Sequence, residues 1–317
     1  MPRYATIDIG TNTVLLLVAE RAERPGHPGK QDPVAFEPVV ERAEITRLGR
    51  GVDRSGRLDT RAIQDTVEVV ARFAEEARAL GARHTACVAT SAARDAVNGS
   101  EFFEAAQRAA GLVPEVISGD EEARLVWASA WRDFGAGAGA LAVLDVGGGS
   151  TEVCLGAGPA PRARRSLQIG AVRLTERIAP PDPPDGAALS ALRLRAAESL
   201  QRAAELVPAS PPGRLVGVAG TVTTLAAVER ALPVYDAGVV HGAELSRAAL
   251  EVLYLRLGAL TTAARARLPG MEPKRADVIV AGCAIVLEAM RFLGFDRLTV
   301  SDRGVRWGLM YDRFGDE

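Results

Sequence analysis

Two segments of this chain share one pattern. Near the N-terminus, Ala5-Thr6-Ile7-Asp8-Ile9 runs into Gly10, Thr11, Asn12 and Thr13, then into Val14-Leu15-Leu16-Leu17-Val18. In the middle, Leu141-Ala142-Val143-Leu144-Asp145-Val146 runs into Gly147, Gly148, Gly149 and Ser150, then into Thr151-Glu152-Val153-Cys154-Leu155. Short apolar runs bounded by Gly, Asn and Thr are hairpin chemistry. Because Asp, Gly and small hydroxyl or amide residues recur in the same order, the pattern predicts two similar α/β halves that face each other. The Gly-Ala run over 135–140 is the expected boundary. It gives domains at 1–133 and 134–317, with a last helix at about 304–317 able to pack back on the first.

The rest of the chain alternates in the same style. Residues 21–38, rich in Pro, Gly and charge, read as an exposed loop. Apolar positions Ile63, Val67, Val70, Phe73, Ala77 and Leu80 predict an amphipathic helix over 59–80, stopped by Gly81. A strand is expected at 84–90, a helix capped by Ser100 and ending at Gly111, and a short strand at 115–117. A helix follows from about 119 to 132. Beyond the second hairpin come a helical stretch over 187–207 between Pro-rich loops at 180–184 and 208–212, and a strand at 214–219. Then follow an apolar helix at 276–293, a strand at 298–302 and a helix at 304–314.

Composition excludes several classes of function. The 38 basic side chains are nearly cancelled by 40 acidic ones, a net charge of −2, which argues against a nucleic-acid-coating protein. Only Lys30 and Lys274 are lysine, so any anion site here uses arginine forks rather than ammonium point charges. The longest charge-free apolar stretches, such as 278–287, are far shorter than the roughly 18–20 residues of a membrane span. No signal-peptide apolar region is read at the N-terminus. Cys87, Cys154 and Cys283 lie far apart and form neither a metal spacing nor a disulfide framework, so the cytoplasm is the expected location. His27, His84 and His241 are equally scattered, which argues against a His-based zinc site; His241 reads as structural.

The two glycine turns carry the chemistry. Successive backbone N–H groups after a strand form an anion-binding concavity. Neither turn is a Walker loop or a dinucleotide fingerprint before a helix, because each lies between two strands. With Gly220 and Thr221 after the 214–219 strand, they read as a site that wraps an oligophosphate from both sides. Asp145 and Glu152 sit on opposite arms of the second hairpin, and two carboxylates plus phosphate oxygens suit Mg²⁺; as ordinary hairpin residues they need no metal. Asp120, Glu121 and Glu122 open a helix, where acids favour the dipole or one of them serves as a general base. Arg94, in the turn from Thr90 to Asn98, is either a phosphate clamp or a surface ion-pair partner, and the same two readings apply to Arg47, Arg173, Arg303 and Arg306.

Seven motifs in order resemble those of the Ppx/GppA phosphatases, the exopolyphosphatases and guanosine pentaphosphate phosphohydrolases. They are the Asp8 turn, Arg47-Leu48-Gly49-Arg50-Gly51-Val52, the Thr90-to-Asn98 segment and Ile117-Ser118-Gly119-Asp120-Glu121-Glu122-Ala123. The Asp145-to-Glu152 signature, Ala219-Gly220-Thr221 and Ser301-Asp302-Arg303-Gly304-Val305-Arg306-Trp307-Gly308 complete the series. The first departs from the family's pattern only in carrying threonine for serine twice. The resemblance implies an α/β fold of two ribonuclease-H-like domains with an interdomain cleft, in the actin/sugar-kinase/Hsp70 superfamily. It implies Glu122 as the base that activates water. Asp145 and Glu152, with Asp8, are the implied contacts to Mg²⁺, Mn²⁺ being the alternative ion. Arg94 and the turns at Gly10, Thr11, Asn12, Thr13, Gly147, Gly148, Gly149, Ser150, Gly220 and Thr221 are implied phosphate binders. The implied substrate is inorganic polyphosphate, the alternative being a (p)ppGpp-type nucleotide. A short-chain preference is expected because the family's additional C-terminal helical region does not follow the Ser301-to-Gly308 motif here. No nucleic acid or membrane partner is expected, and a homodimer rests on base rates alone. A non-catalytic polyphosphate or nucleotide sensor and an ATP-dependent sugar kinase are the competing readings.

Overall fold

The computed structural model describes residues 1–22, 35–206 and 213–315. They form two compact units, one built from Met1–Ser118 with Val305–Glu317 and the other from Gly119–Gly304.

The first unit begins with β1 (Arg3–Ile9), β2 (Thr13–Ala22) and β3 (Ala35–Ile45). It continues through α1 (Val52–Ser55), α2 (Thr60–Ala79), β4 (Ala82–Ala89), α3 (Ser91–Asp95), α4 (Gly99–Ala110) and β5 (Glu115–Val116). The strand order is β3-β2-β1-β4-β5, antiparallel across the first three and parallel from β1 through β4 to β5. The amphipathic spacing read from the sequence puts Ile63, Val67, Val70, Phe73 and Ala77 of α2 into the core with Ile7, Ile9, Val14 and Leu16. Asp59 caps that helix by accepting from the amides of Arg61 and Ala62. The last helix of the chain, α13 (Val305–Phe314), belongs to this unit. Its Trp307, Met310 and Phe314 pack with Tyr4, Leu17, Ala19 and Phe36, and Thr6 Oγ1 donates to the Arg306 carbonyl at 2.9 Å.

The second unit contains α5 (Gly119–Phe134), β6 (Leu141–Val146), β7 (Thr151–Gly156), β8 (Ala163–Leu167) and α6 (Ala171–Ile178). Next come α7 (Gly186–Leu200), β9 (Arg214–Val218), α8 (Ala219–Glu229), α9 (Ala237–Val240), β10 (Glu244–Ser246) and α10 (Arg247–Gly258). It closes with α11 (Thr262–Arg265), α12 (Ile279–Leu293) and β11 (Arg297–Val300). Read from β8, its sheet runs β8-β7-β6-β9-β11-β10. The first five strands repeat the order and directions of the first sheet, with β10 added antiparallel at the far edge. This is the ribonuclease-H-like arrangement, built twice. Helix α12 is apolar and buried except at Glu288, Arg291 and Phe292 near its C-terminal end, as a helix covered on most of its faces must be.

Three local expectations change. Helix α4 starts at Gly99, so Ser100 lies inside its first turn and no side chain caps it. Asn98, just before it, instead bridges the Leu58 backbone, accepting from its N–H at 2.8 Å and donating to its carbonyl at 3.2 Å. Of the loop expected over 21–38, residues 21–22 and 35–38 are strand, because β2 runs to Ala22 and β3 starts at Ala35; residues 23–34, and the loop expected at 208–212, lie outside the described residues. Pro38 obscured β3 in the sequence, yet it sits opposite Ala19 at a register irregularity of an edge strand, one of the few places a strand accommodates proline. Finally, α5, which the 135–140 boundary assigned to the first half, is part of the second unit. Its buried Trp127 donates through the indole N–H to the Gly158 carbonyl, and the Cys154 thiol of β7 donates to the Ala123 carbonyl.

Among the described residues no helix is long and apolar enough to cross a membrane.

Candidate functional site

Both glycine turns close in the same way. The Gly10 amide donates to the Thr13 carbonyl at 2.9 Å, and the Gly147 amide donates to the Ser150 carbonyl at 3.1 Å. Each turn is then backed by the segment that follows the third strand of its sheet. In the first unit the amides of Thr46 and Arg47 donate to the Asn12 carbonyl, and Gly49 donates to that of Thr11. In the second, Ala171 donates to the Gly147 carbonyl, Val172 and Arg173 donate to that of Gly148, and Arg173 Nε reaches the Gly149 carbonyl at 2.7 Å.

This backing has a directional consequence. In a trans peptide the N–H points opposite to the C=O of the same plane. With the carbonyls of Gly147, Gly148 and Gly149 all turned toward the start of α6, the amides of Gly148, Gly149 and Ser150 are turned away from it. The amides of Asn12 and Thr13 are turned away from 46–49 for the same reason. Each turn therefore presents a row of donors on one side, the geometry that receives phosphate oxygens. Close approach is a condition of it: a Cβ on Gly170 would collide with the backbone of Gly148, so the α6 N-terminus can back the turn only with glycine there. Gly170 was not singled out in the sequence; its signal is its place just after the third strand of the repeat.

In the first unit, Asp8, Thr11, Asn12, Thr90 and Ser91 are all buried polar residues. The Asn12 side-chain amide nitrogen has no hydrogen-bond partner among the described residues. Asp8 stands opposite Leu15 of β2 and Val88 of β4, and its charge adds to burial in raising the Cys87 thiol pKa. Arg94 donates to the Ile117 carbonyl at 2.9 Å and lies 3.7 Å from the Asp95 carboxylate.

In the second unit the corresponding row is acidic. Asp145 of β6 stands opposite Glu152 of β7, so both side chains leave the same face of the sheet. The three acids that open α5 have different surroundings. Asp120 is held by Arg164 at 2.5 Å and Glu121 by Arg124 at 2.7 Å. Glu122 is buried, only 8% exposed, and lies close enough to Glu152 to perturb it. Glu152, 1% exposed, is pushed well above the ordinary carboxyl range, first by burial and then by the charges of Glu122 and Asp145; hydroxyls of Ser166 and Ser150 pull the other way. Its Oε1 accepts from Ser166 Oγ at 2.6 Å, while Oε2 has no partner among the described residues.

That grouping fits a divalent cation. A buried carboxylate with an unpartnered oxygen, beside two further carboxylates, is costly without a counter-charge. Among the described residues no three metal-ligating side chains suffice to hold an ion by themselves. A hard ion at Asp145 and Glu152 therefore needs water or phosphate oxygens to complete its shell, which is the habit of Mg²⁺.

Gly220 and Thr221 lie at the start of α8, which follows β9 without a loop. Ala219 makes that junction with a left-handed φ of 70°, a conformation that costs a non-glycine residue of order 1–3 kcal/mol. The guanidinium of Arg275, not named from the sequence, packs directly on the Gly220 backbone, leaving no room for a Cβ. Of the other arginines considered, Arg173 backs the second turn. Arg303 pairs with Asp133 at 3.0 Å, and Arg306 pairs with Glu41 inside the first unit. His241 Nδ1 lies 2.8 Å from Asp302 in the second unit.

Known proteins are similar to this chain over nearly its whole length. Residues 29–317 match the Ppx/GppA phosphatase family. The chain is 38% identical to Exopolyphosphatase 2 of Mycobacterium tuberculosis over 98% of both chains. It is 31% identical to Exopolyphosphatase 1 of Mycobacterium bovis over 99% of this chain and 89% of that one. Among solved structures it is similar to a Ppx/GppA enzyme of Aquifex aeolicus, at 33% identity and a TM-score of 0.79 over 98% of this chain and 99% of that one.

Proposed function

The chain belongs to the Ppx/GppA phosphatase family, and we propose that it is an exopolyphosphatase, hydrolysing the terminal phosphoanhydride of inorganic polyphosphate to release orthophosphate. The observation that carries this reading is the buried grouping of Glu122, Asp145 and Glu152 beside the donor-lined 147–150 turn.

Phosphoryl transfer to water needs placement and charge stabilisation more than covalent chemistry from the protein. In this reading water attacks the terminal phosphorus in line, the bond to the bridging oxygen breaks, and the shortened chain leaves. Glu122 orients that water and takes its proton. It suits the role because, unlike Asp120 and Glu121, it is buried and lies beside Glu152. Amides of the 147–150 turn hold phosphate oxygens through charge-assisted hydrogen bonds; in the first unit, taken by itself, the 10–13 turn and Arg94 offer phosphate-binding donors of the same kind. Asp145 and Glu152 are the residues that would hold Mg²⁺. Bound there, the ion supplies charge neutralisation on the phosphate oxygens.

A polyphosphate ladder offered with and without Mg²⁺, with orthophosphate measured directly, tests this. Release from polyphosphate that needs the ion and no acceptor is expected. The same ladder tests the expected short-chain preference, and guanosine pentaphosphate run beside it tests the alternative substrate. No orthophosphate from any length of polyphosphate, with or without the ion, defeats the reading.

A further inference from the structure

Cross-strand rows at equivalent places in the two sheets differ in one respect. In the first sheet the row through Asp8 reads Ala43, Leu15, Asp8, Val88 across β3, β2, β1 and β4. In the second it reads Ser166, Glu152, Asp145, Val218 across β8, β7, β6 and β9. Aspartate and valine are common to both rows. The two outer positions change together, from alanine and leucine to serine and glutamate.

Those two outer residues are bonded to each other. Ser166 Oγ donates to Glu152 Oε1 at 2.6 Å, within the range of a charge-assisted hydroxyl-to-carboxylate bond. Register places them directly opposite on adjacent strands, so the hydroxyl is fixed by the sheet and not by a turn. The bond occupies one carboxylate oxygen and leaves Oε2 as the oxygen without a partner. An unheld glutamate has a roughly two-fold, broad terminal torsion; the strong bond from Ser166 to Oε1, with the Ser150 hydroxyl also acting on this carboxyl, selects its orientation.

We propose that Ser166 is the positioning residue for Glu152: its hydroxyl holds Oε1 so that Oε2 is presented to a divalent cation. The inference rests on the reading of Asp145 and Glu152 as cation ligands given under Proposed function. It assigns Ser166 no contact with substrate. A merely structural serine, there to satisfy a buried carboxylate, would affect stability and leave cation affinity unchanged.

Direct Mn²⁺ binding to the full chain, followed by the electron paramagnetic resonance signal of the unbound ion, separates these without turnover. Partners of metal ligands typically contribute 10–100-fold in affinity, so Ser166→Ala should weaken Mn²⁺ by roughly that factor and Ser166→Thr should stay within about threefold of wild type. Thermal midpoints measured on the same samples show whether each variant is folded. Wild-type affinity in folded Ser166→Ala, with binding lost in Glu152→Gln, overturns the role of Ser166 and spares the cation site. Equal loss in Ser166→Ala and folded Ser166→Thr also overturns it, since the hydroxyl is then not the cause. No Mn²⁺ binding by the wild-type chain defeats the cation reading, and the inference falls with it.

Discussion

Asp145 and Glu152 face each other across the β6–β7 ladder, whereas the equivalent aspartate of the other sheet, Asp8, faces Leu15. One hairpin thus carries a carboxylate pair and its structural twin carries a single acid against a leucine. The asymmetry concentrates negative charge in the second unit, where Glu122 adds to it.

Glu152→Gln should stabilise the metal-free protein near neutral pH. The folded state raises the Glu152 pKa, with burial the largest cause, so it holds that proton more tightly than the unfolded chain does. From the ordinary carboxyl range upward, until the native carboxyl has ionised, stability falls as pH rises. Glutamine keeps an oxygen for Ser166 and removes the charge. The thermal midpoint in a chelator should therefore rise at about pH 8, by roughly 2–4 °C for each kcal/mol relieved, and the gain should shrink toward about pH 5. A midpoint below wild type at both pH values would refute the charge argument.

Glu122→Gln and Glu121→Gln should behave very differently. Loss of a general base typically lowers turnover by ~10²–10⁴-fold, and that is the outcome expected for Glu122 with fold and cation binding retained. Glu121 is tied to Arg124, so its variant should stay within about threefold of wild type, the scale of a partly exposed ion pair. Initial rates of orthophosphate release decide between them. Comparable turnover in the two variants would be fatal to the assignment.

Asn12→Ala should cost affinity without costing stability. Its buried amide nitrogen has no hydrogen-bond partner among the described residues, so truncation breaks no bond of that nitrogen and the stability change should stay near 1 kcal/mol or below. A hydrogen bond to a charged group is worth about 1.5–3 kcal/mol, which predicts a rise in KM for polyphosphate of roughly 10–100-fold. An unchanged KM with a strongly lowered thermal midpoint would show that Asn12 serves the fold alone.

Much of the fold was legible because short apolar runs bounded by Gly, Asn and Thr admit few structures. The hairpins at Asp8 and Asp145, the Asp59-capped α2 and the apolar α12 all follow from local periodicity and caps. Edge strands were not legible. β3 carries Pro38 and little alternation, and β8 has three arginine and serine residues in succession, Arg164, Arg165 and Ser166. Such strands are defined by the neighbour they pair with, which no local pattern reveals. The place of α5 failed for the same reason: a Gly-Ala run marks a flexible connection, but contacts made by Trp127 and Ala123 decide which unit the helix joins.

By itself the sequence determined which residue types stand in each turn, because Asp, Gly and hydroxyls at fixed spacing are a local matter of backbone freedom and hydrogen bonding. Tertiary structure alone decided which neighbours those residues meet. Adjacent in sequence, Asp120, Glu121 and Glu122 are equivalent until helical rotation turns two of them to Arg164 and Arg124 and the third inward toward Glu152. Likewise nothing local distinguishes Ser166 from any strand serine; only the β7–β8 register sets its hydroxyl against a buried carboxylate.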